Sequence, residues 1–266
     1  NYEMLVFVIA RRYSDAAIHT IMTTDKIPAM TEGGKHLATV LLAIKESIKP
    51  GITLIELDSI ADKLITEYGD IASFKTVKGY SHATCINLND GIVHGIPNET
   101  IVEPGDLVSV DIGILHDGFH TDSAFTVQVP PMNTKITQFL EVGREALAAA
   151  VAMALPENSV FHISSAMESV IRSDSYTPIR ELTGHGVGKE LHESPSIPCF
   201  ADPGSRRDIL KEGQTIAIEA MYTMGDHRLV QDSDGWTLRT RDHSLTGLFE
   251  HTILITTGRP IILTAI

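Results

Sequence analysis

The chain has 266 residues, enough for one large α/β or α+β domain or for two related halves around a shared core. With 34 acidic against 21 basic residues its formal charge is -13, so it has no basic footprint to neutralise phosphates, and direct nucleic-acid binding is not expected. No apolar run reaches the roughly 18–20 residues of a bilayer span. Cys85 and Cys199 lie too far apart for a Cys-x-x-Cys zinc or redox pair, which fits a reducing, cytoplasmic compartment.

Residues 1–20 hold a six-residue apolar run, Leu5 to Ala10, whose charged flanks lie on the wrong sides for a secretory signal. They read as an N-terminal arm ahead of one domain over residues 21–266. Thr24-Asp25 opens a first helix whose stripe is Met30, Gly34, Leu37, Leu41, Ile44 and Ile48, and Lys49-Pro50-Gly51 stops it. Thr53 and Glu56 have capping-box spacing for a second helix that buries Leu57, Ile60, Ala61 and Leu64. Strands follow near Thr84–Leu88 and Ile92–Val93, turned by Asn89-Asp90-Gly91.

Ser109 to Phe125 then reads as a hairpin around Asp117-Gly118, a dipeptide suited to a two-residue turn with positive φ at both positions. In that register His116 pairs with Phe119 and Gly113 with Asp122, which puts Asp111 and Asp122 on one face. Two converging carboxylates admit three readings: a solvated face, a dyad sharing a proton, or a metal site completed from elsewhere in the chain.

The pattern restarts with a helix over about Thr134–Ala154, ended by Pro156, and another over about Val160–Arg172. A shift of 106 residues lays Pro50, Ser59 and Ile65 on Pro156, Ser165 and Ile171. The chain therefore reads as two similar halves with no linker, related by a pseudo-two-fold. The second half offers Gly184-His185-Gly186-Val187-Gly188 with His192 beyond it, and Glu219 and Glu250 inside apolar, β-favouring runs. An unpaired carboxylate is costly to bury there, and neither Glu has a Lys or Arg beside it in its run. Asp111, Asp122, His185, Glu219 and Glu250 together form an oxygen-rich set, poor for closed structural zinc and better for two bridged divalent ions. Gly184–Gly188 lacks the Lys-Ser/Thr of a phosphate loop. Asp232-x-Asp234-Gly235 lacks the remaining ligands of a calcium loop and reads as a turn before Trp236.

Phe119–Phe125, His94-Gly95-Ile96-Pro97, Gly184–Pro195, Ala217–Met221, Asp234–Thr237 and Phe249–Thr252 resemble type I methionine aminopeptidase, a peptidase family with the pita-bread fold. The resemblance runs from about Ile18 to Thr264. It implies an α+β pita-bread domain, with two pseudo-two-fold-related halves, a central antiparallel sheet and helices outside. It also implies metal-dependent removal of the initiator methionine from nascent polypeptides, with preference for a small second residue. The metal ligands it implies are Asp111, Asp122, His185, Glu219 and Glu250, with Asp122 and Glu250 bridging two divalent cations, among which Mn, Fe, Co and Zn all suit the set. Glu219 is then also the general base. His192 and His94 contact the substrate near its first peptide bond, and Cys85, Tyr80 and Trp236 surround the methionine side chain. A monomer acting near the ribosome exit region follows from the same resemblance. Phe74, Val77, Lys78 and Leu191 depart from residues common in the family. Prolidase and aminopeptidase P share the fold but resemble chains with a large extra N-terminal domain. A catalytically dead binding protein has no physical need to concentrate four carboxylates.

Overall fold

The computed structural model describes residues 26–265. The arm expected over residues 1–20 and the helix start at Thr24-Asp25 lie outside them. Helix α1 spans Lys26–Ser47 and buries Met30, Gly34, Leu37, Leu41 and Ile44, the stripe its spacing demands. Helix α2 spans Leu54–Glu67 behind the expected capping box. Thr53 Oγ1 accepts the Glu56 N–H at 3.2 Å, and Glu56 Oε2 accepts the Thr53 N–H at 2.8 Å. Its buried face is rotated from the expected one: Leu57 and Ala61 are joined by Leu54, Asp58 and Ile65, while Ile60 and Leu64 are only partly buried. Asp58 turns the helix inward because its Oδ1 accepts both the backbone N–H of Thr84 at 2.9 Å and the Thr84 hydroxyl at 2.8 Å.

Strands β1 Ile71–Ala72, β2 Thr84–Leu88, β3 Gly91–Val93, β4 Leu107–His116 and β5 Phe119–Gln128 complete the first half. The second half runs α3 Thr134–Ala152, α4 Val160–Ser173, β6 Thr177–Pro178, β7 Thr183–Gly186, β8 Glu193–Pro198, β9 Thr215–Thr223, β10 Leu229–Gln231, β11 Leu238–Thr240, β12 Thr246–Leu254 and β13 Ile261–Ile262. Ten strands form one sheet with the path β1-β4-β5-β12-β9-β7-β8; β2 also joins β4, β6 joins β9 and β13 joins β12. All its pairings are antiparallel. The turn at Asn89 is present, with φ of 54°, yet β2 and β3 do not pair with each other. Asn89 Oδ1 accepts the Leu107 N–H at 3.0 Å and fastens the turn to the start of β4, so β2 pairs with β4 while β3 leaves for β11.

The four central strands, β4-β5-β12-β9, mirror one another about the middle of the sheet. Val108, Val110, Ile112 and Ile114 of β4 pack under α1 and α2, and Ile216, Ile218, Ala220 and Tyr222 of β9 pack under α3 and α4. Thr53 and Ser159, matched by the 106-residue shift, each close a capping box and each make an isolated antiparallel bridge, to Ile101 and Ile209. The expected α+β pita-bread arrangement is therefore present. Because side chains alternate along a strand, burying the even positions of β4 and β9 beneath helices turns Asp111 and Glu219 to the opposite face.

Candidate metal centre

Asp117 and Gly118 adopt φ of 46° and 82°, and the hairpin takes the expected register, His116 opposite Phe119 and Gly113 opposite Asp122. From there a single row crosses five strands. Cys85 of β2 lies opposite Asp111 of β4, Asp111 opposite Ala124 of β5, Ala124 opposite Glu250 of β12, and Glu250 opposite Glu219 of β9. The neighbouring row holds the other two residues: Asp122 on β5, and His185 on β7 opposite Ala217, which itself faces Thr252 of β12. Opposed residues share a face, so the sheet brings all five expected ligand positions together on the side away from the helices.

Asp122, His185 and Glu250 are all buried. Ligand atoms of Asp122, His185 and Glu250 lie within 4.8 Å of one another. The His185 Nδ1–H donates to the Gly186 carbonyl at 2.9 Å, which leaves Nε2 as a lone pair 3.9 Å from Asp122 Oδ2. Asp111 Oδ1, Asp122 Oδ1 and Glu250 Oε1 are buried without a hydrogen-bond partner. Among the described residues no Lys or Arg pairs with any of the four acids. Burial, and then repulsion from neighbouring carboxylates, holds Asp111, Glu219 and Glu250 well above the usual carboxylate range, and burial pushes Asp122 up to about 7. Burial and the nearby His192 bring His185 down to about 3, so its imidazole is neutral and able to ligate. Orphaned buried oxygens beside a neutral imidazole are what divalent cations satisfy; the residues present fit such a group.

One supporting residue was not legible in the chain. Thr252 Oγ1 accepts the Asp122 N–H and donates to the Asp122 carbonyl, each at 2.8 Å. Thr252→Val keeps the shape and strips both bonds from a fully buried site, so a loss of roughly 2–3 kcal/mol in unfolding free energy is expected by urea titration.

Beside Cys85 lies a separate apolar cluster: buried Phe74, Tyr80, Cys85 and Leu191, flanked by Val77, Ile96 and Trp236. Tyr80 meets the Trp236 ring edge-on, with centroids 5.1 Å apart, and its hydroxyl donates to the Thr84 carbonyl at 2.8 Å. Burial raises the Cys85 thiol well above its ordinary range, so it is a small apolar wall and not a nucleophile. His94 and His192 stand at the rim. His94 follows β3 with φ of 59°, and a Cβ on the next residue, Gly95, would strike the Ile86 carbonyl, so only glycine fits there. His192 lies edge-on to His185, with centroids 4.5 Å apart. The surrounding walls lower both imidazoles, and His94 also feels His192, while part of each residue stays open to solvent.

Metallopeptidase family M24 matches residues 28–257. The chain belongs to this family. A methionine aminopeptidase from Clostridium perfringens is 35% identical over 242 residues, covering 91% of this chain and 97% of that one. A crystal structure of methionine aminopeptidase from Thermotoga maritima superposes with a TM-score of 0.89 at 36% identity, over 92% of this chain and 99% of that one. Prolidase from Pyrococcus furiosus gives a TM-score of 0.75 at 25% identity, over 94% of this chain and 66% of that one.

Within this M24 chain, Phe74, Val77 and Leu191 belong to the apolar cluster, whereas Lys78 is exposed. Ile96 was not singled out from the sequence; its place between His94 and Pro97 was the available signal. The histidines given no role have protein partners: His120 Nδ1 meets Ser73 Oγ at 2.8 Å, His251 Nδ1 meets Thr264 Oγ1 at 2.9 Å and His243 Nδ1 meets Asp90 Oδ2 at 2.8 Å. His116 meets Asp70. The turn expected before Trp236 joins β10 to β11, with Asp234 Oδ1 accepting the N–H groups of Trp236 and Thr237.

Proposed function

We propose that this M24 metallopeptidase is a methionyl aminopeptidase that releases the N-terminal methionine of nascent polypeptides. The observation that carries this is an apolar cluster, Phe74, Tyr80, Cys85, Leu191 and Trp236, at the end of a carboxylate row that fits divalent cations. Asp111, Asp122, His185, Glu219 and Glu250 would hold two such ions. When bound, the ions lower the pKa of water and polarise a carbonyl.

The chain's own residues do the rest. The methionine side chain packs against the apolar cluster, contributing roughly 1.5–3 kcal/mol by transfer from water. Glu219 sits half-buried at the end of the row, where its carboxylate takes up a proton from the attacking water and returns it to the leaving amine. His94 and His192, kept neutral by their surroundings, offer N–H donors to the first peptide bond and its tetrahedral intermediate. Mn, Fe and Co suit the four carboxylates and one imidazole best, and Zn is compatible. Both cysteines are free, in keeping with a reducing cytoplasm, and the whole row comes from one chain, so a monomer suffices. A substrate that exists during synthesis places the enzyme near the ribosome exit.

Metal-stripped protein given Mn2+ or Co2+ is expected to release free methionine from Met-Ala-Ser and little from Met-Lys-Ser. Cleavage only of X-Pro peptides would instead make it a prolidase or aminopeptidase P, and no cleavage with no retained metal would make it a binding protein.

A further inference from the structure

A second set of ligating side chains gathers at the turn end of the β4–β5 hairpin, five residues along β4 from Asp111 and therefore roughly 17 Å away. His36 comes from α1, Asp70 from the link between α2 and β1, and His116 from the last position of β4. The Asp70 side chain is only 2% exposed, and among the described residues its ion-pair partners are the two imidazoles. Asp70 Oδ2 lies 2.8 Å from His36 Nδ1, and Asp70 Oδ1 lies 2.6 Å from His116 Nδ1. The two rings meet edge-on with centroids 5.1 Å apart, and Tyr68 stacks on His36 at 4.1 Å. Gly33 admits the second ring, because a Cβ there would stand 2.8 Å from the His116 Cβ.

We infer that His36, Asp70 and His116 form a second divalent transition-metal site, separate from the carboxylate row. Each residue offers a ligand atom, and the three atoms lie within 4.8 Å of one another. Two imidazoles and one carboxylate with a fourth position open to solvent make a zinc-type donor set, and the imidazoles favour Zn2+ over Mg2+ or Mn2+. A histidine that ligates through one nitrogen typically donates from the other to a carboxylate. Here the outward nitrogens already face such groups: His36 Nε2 lies 3.5 Å from Glu32 Oε1, and His116 Nε2 lies 3.6 Å from Asp117 Oδ2. The second Glu32 oxygen is held by Lys35 at 3.1 Å.

In the metal-free protein both Nδ1–H groups donate to Asp70. Ion entry needs only that each ring carry its proton on Nε2 instead of Nδ1, with the Nε2–H donating toward Glu32 or Asp117, so no proton leaves the site. The present Asp70–imidazole separations then open to about 3.3 Å, the ligand–ligand spacing around a tetrahedral ion with bonds of about 2.0–2.2 Å. Water and ions reach the site along the imidazole edges, which are 16–17% exposed. An ion there would tie α1, the α2–β1 link and the hairpin turn together.

The test counts metal and needs no peptidase turnover, so it stands or falls independently of methionine release. Equilibrium dialysis of the D122N/E250Q protein against Zn2+ is expected to leave about one bound ion per chain. Adding H36Q should weaken that binding by at least about tenfold, as should E32Q/D117N, whose exposed carboxylates orient the rings. Equal zinc retention with and without H36Q in folded protein overturns the site, leaving a hydrogen-bonded clamp, and so does zinc bound by neither. If H36Q does not fold, the exposed E32Q/D117N pair decides, and unchanged affinity there overturns it equally.

Discussion

Glu219→Gln is expected to lower kcat for Met-Ala-Ser by about 10²–10⁴-fold, the span typical of losing a positioned acid–base group. The change is nearly isosteric, and Glu219 faces Glu250 across β9 and β12 with the charge of Asp122 close by. Removing one charge from that crowd relieves repulsion, so the metal-free variant should melt no lower than the metal-free parent. A misfolding variant would lose both stability and turnover. The signature of the assigned role is lost turnover with preserved or raised melting temperature, and normal turnover in Glu219→Gln would remove the residue from the chemistry.

The hairpin and its ligands were legible because their signals are local. Asp117-Gly118 fixes a turn type, the turn fixes the register, and the register decides that Asp111 and Asp122 share a face. Glu219 and Glu250 stood out because a carboxylate inside an apolar strand needs a partner. What the chain could not display is lateral order. Nothing local says that β12 inserts between β5 and β9, and it is this insertion that aligns Asp111, Ala124, Glu250 and Glu219 in one row. The same limit hid Thr252, whose hydroxyl serves Asp122 some 130 residues earlier. It also hid the rotation of α2, set by the reach of Asp58 to Thr84. His36, Asp70 and His116 come from three separate elements and have no shared spacing to find.

Stripping the metal should make folding stability fall as pH rises from about 6.5 to 8.5, and restoring Mn2+ should abolish that slope. Asp122 has a folded-state pKa near 7 against an ordinary 3.8, and Asp111, Glu219 and Glu250 are raised in the same direction. A group raised on folding contributes stability that is complete below its unfolded pKa and lost as pH climbs through its folded one. Asp122 alone would account for at most about 1 kcal/mol across this window, most of its contribution having been lost between its unfolded pKa and pH 6.5, and the more strongly raised Asp111, Glu219 and Glu250 add to the fall. His185 works the other way: lowered to about 3, it contributes above its unfolded value of 6.5 and loses that contribution only as pH falls. At pH 6.5 half of the unfolded chains carry a charged His185, so it offsets part of the fall up to about pH 7.5; beyond that the imidazole is neutral folded or unfolded and the raised carboxylates alone set the slope. Divalent ions hold the four acids ionised at every pH in that window, so the folded chain takes up no extra protons and the dependence vanishes. Thermal melts of stripped and Mn2+-loaded protein across the window decide it: parallel curves would mean that the four carboxylates are not a metal-satisfied set.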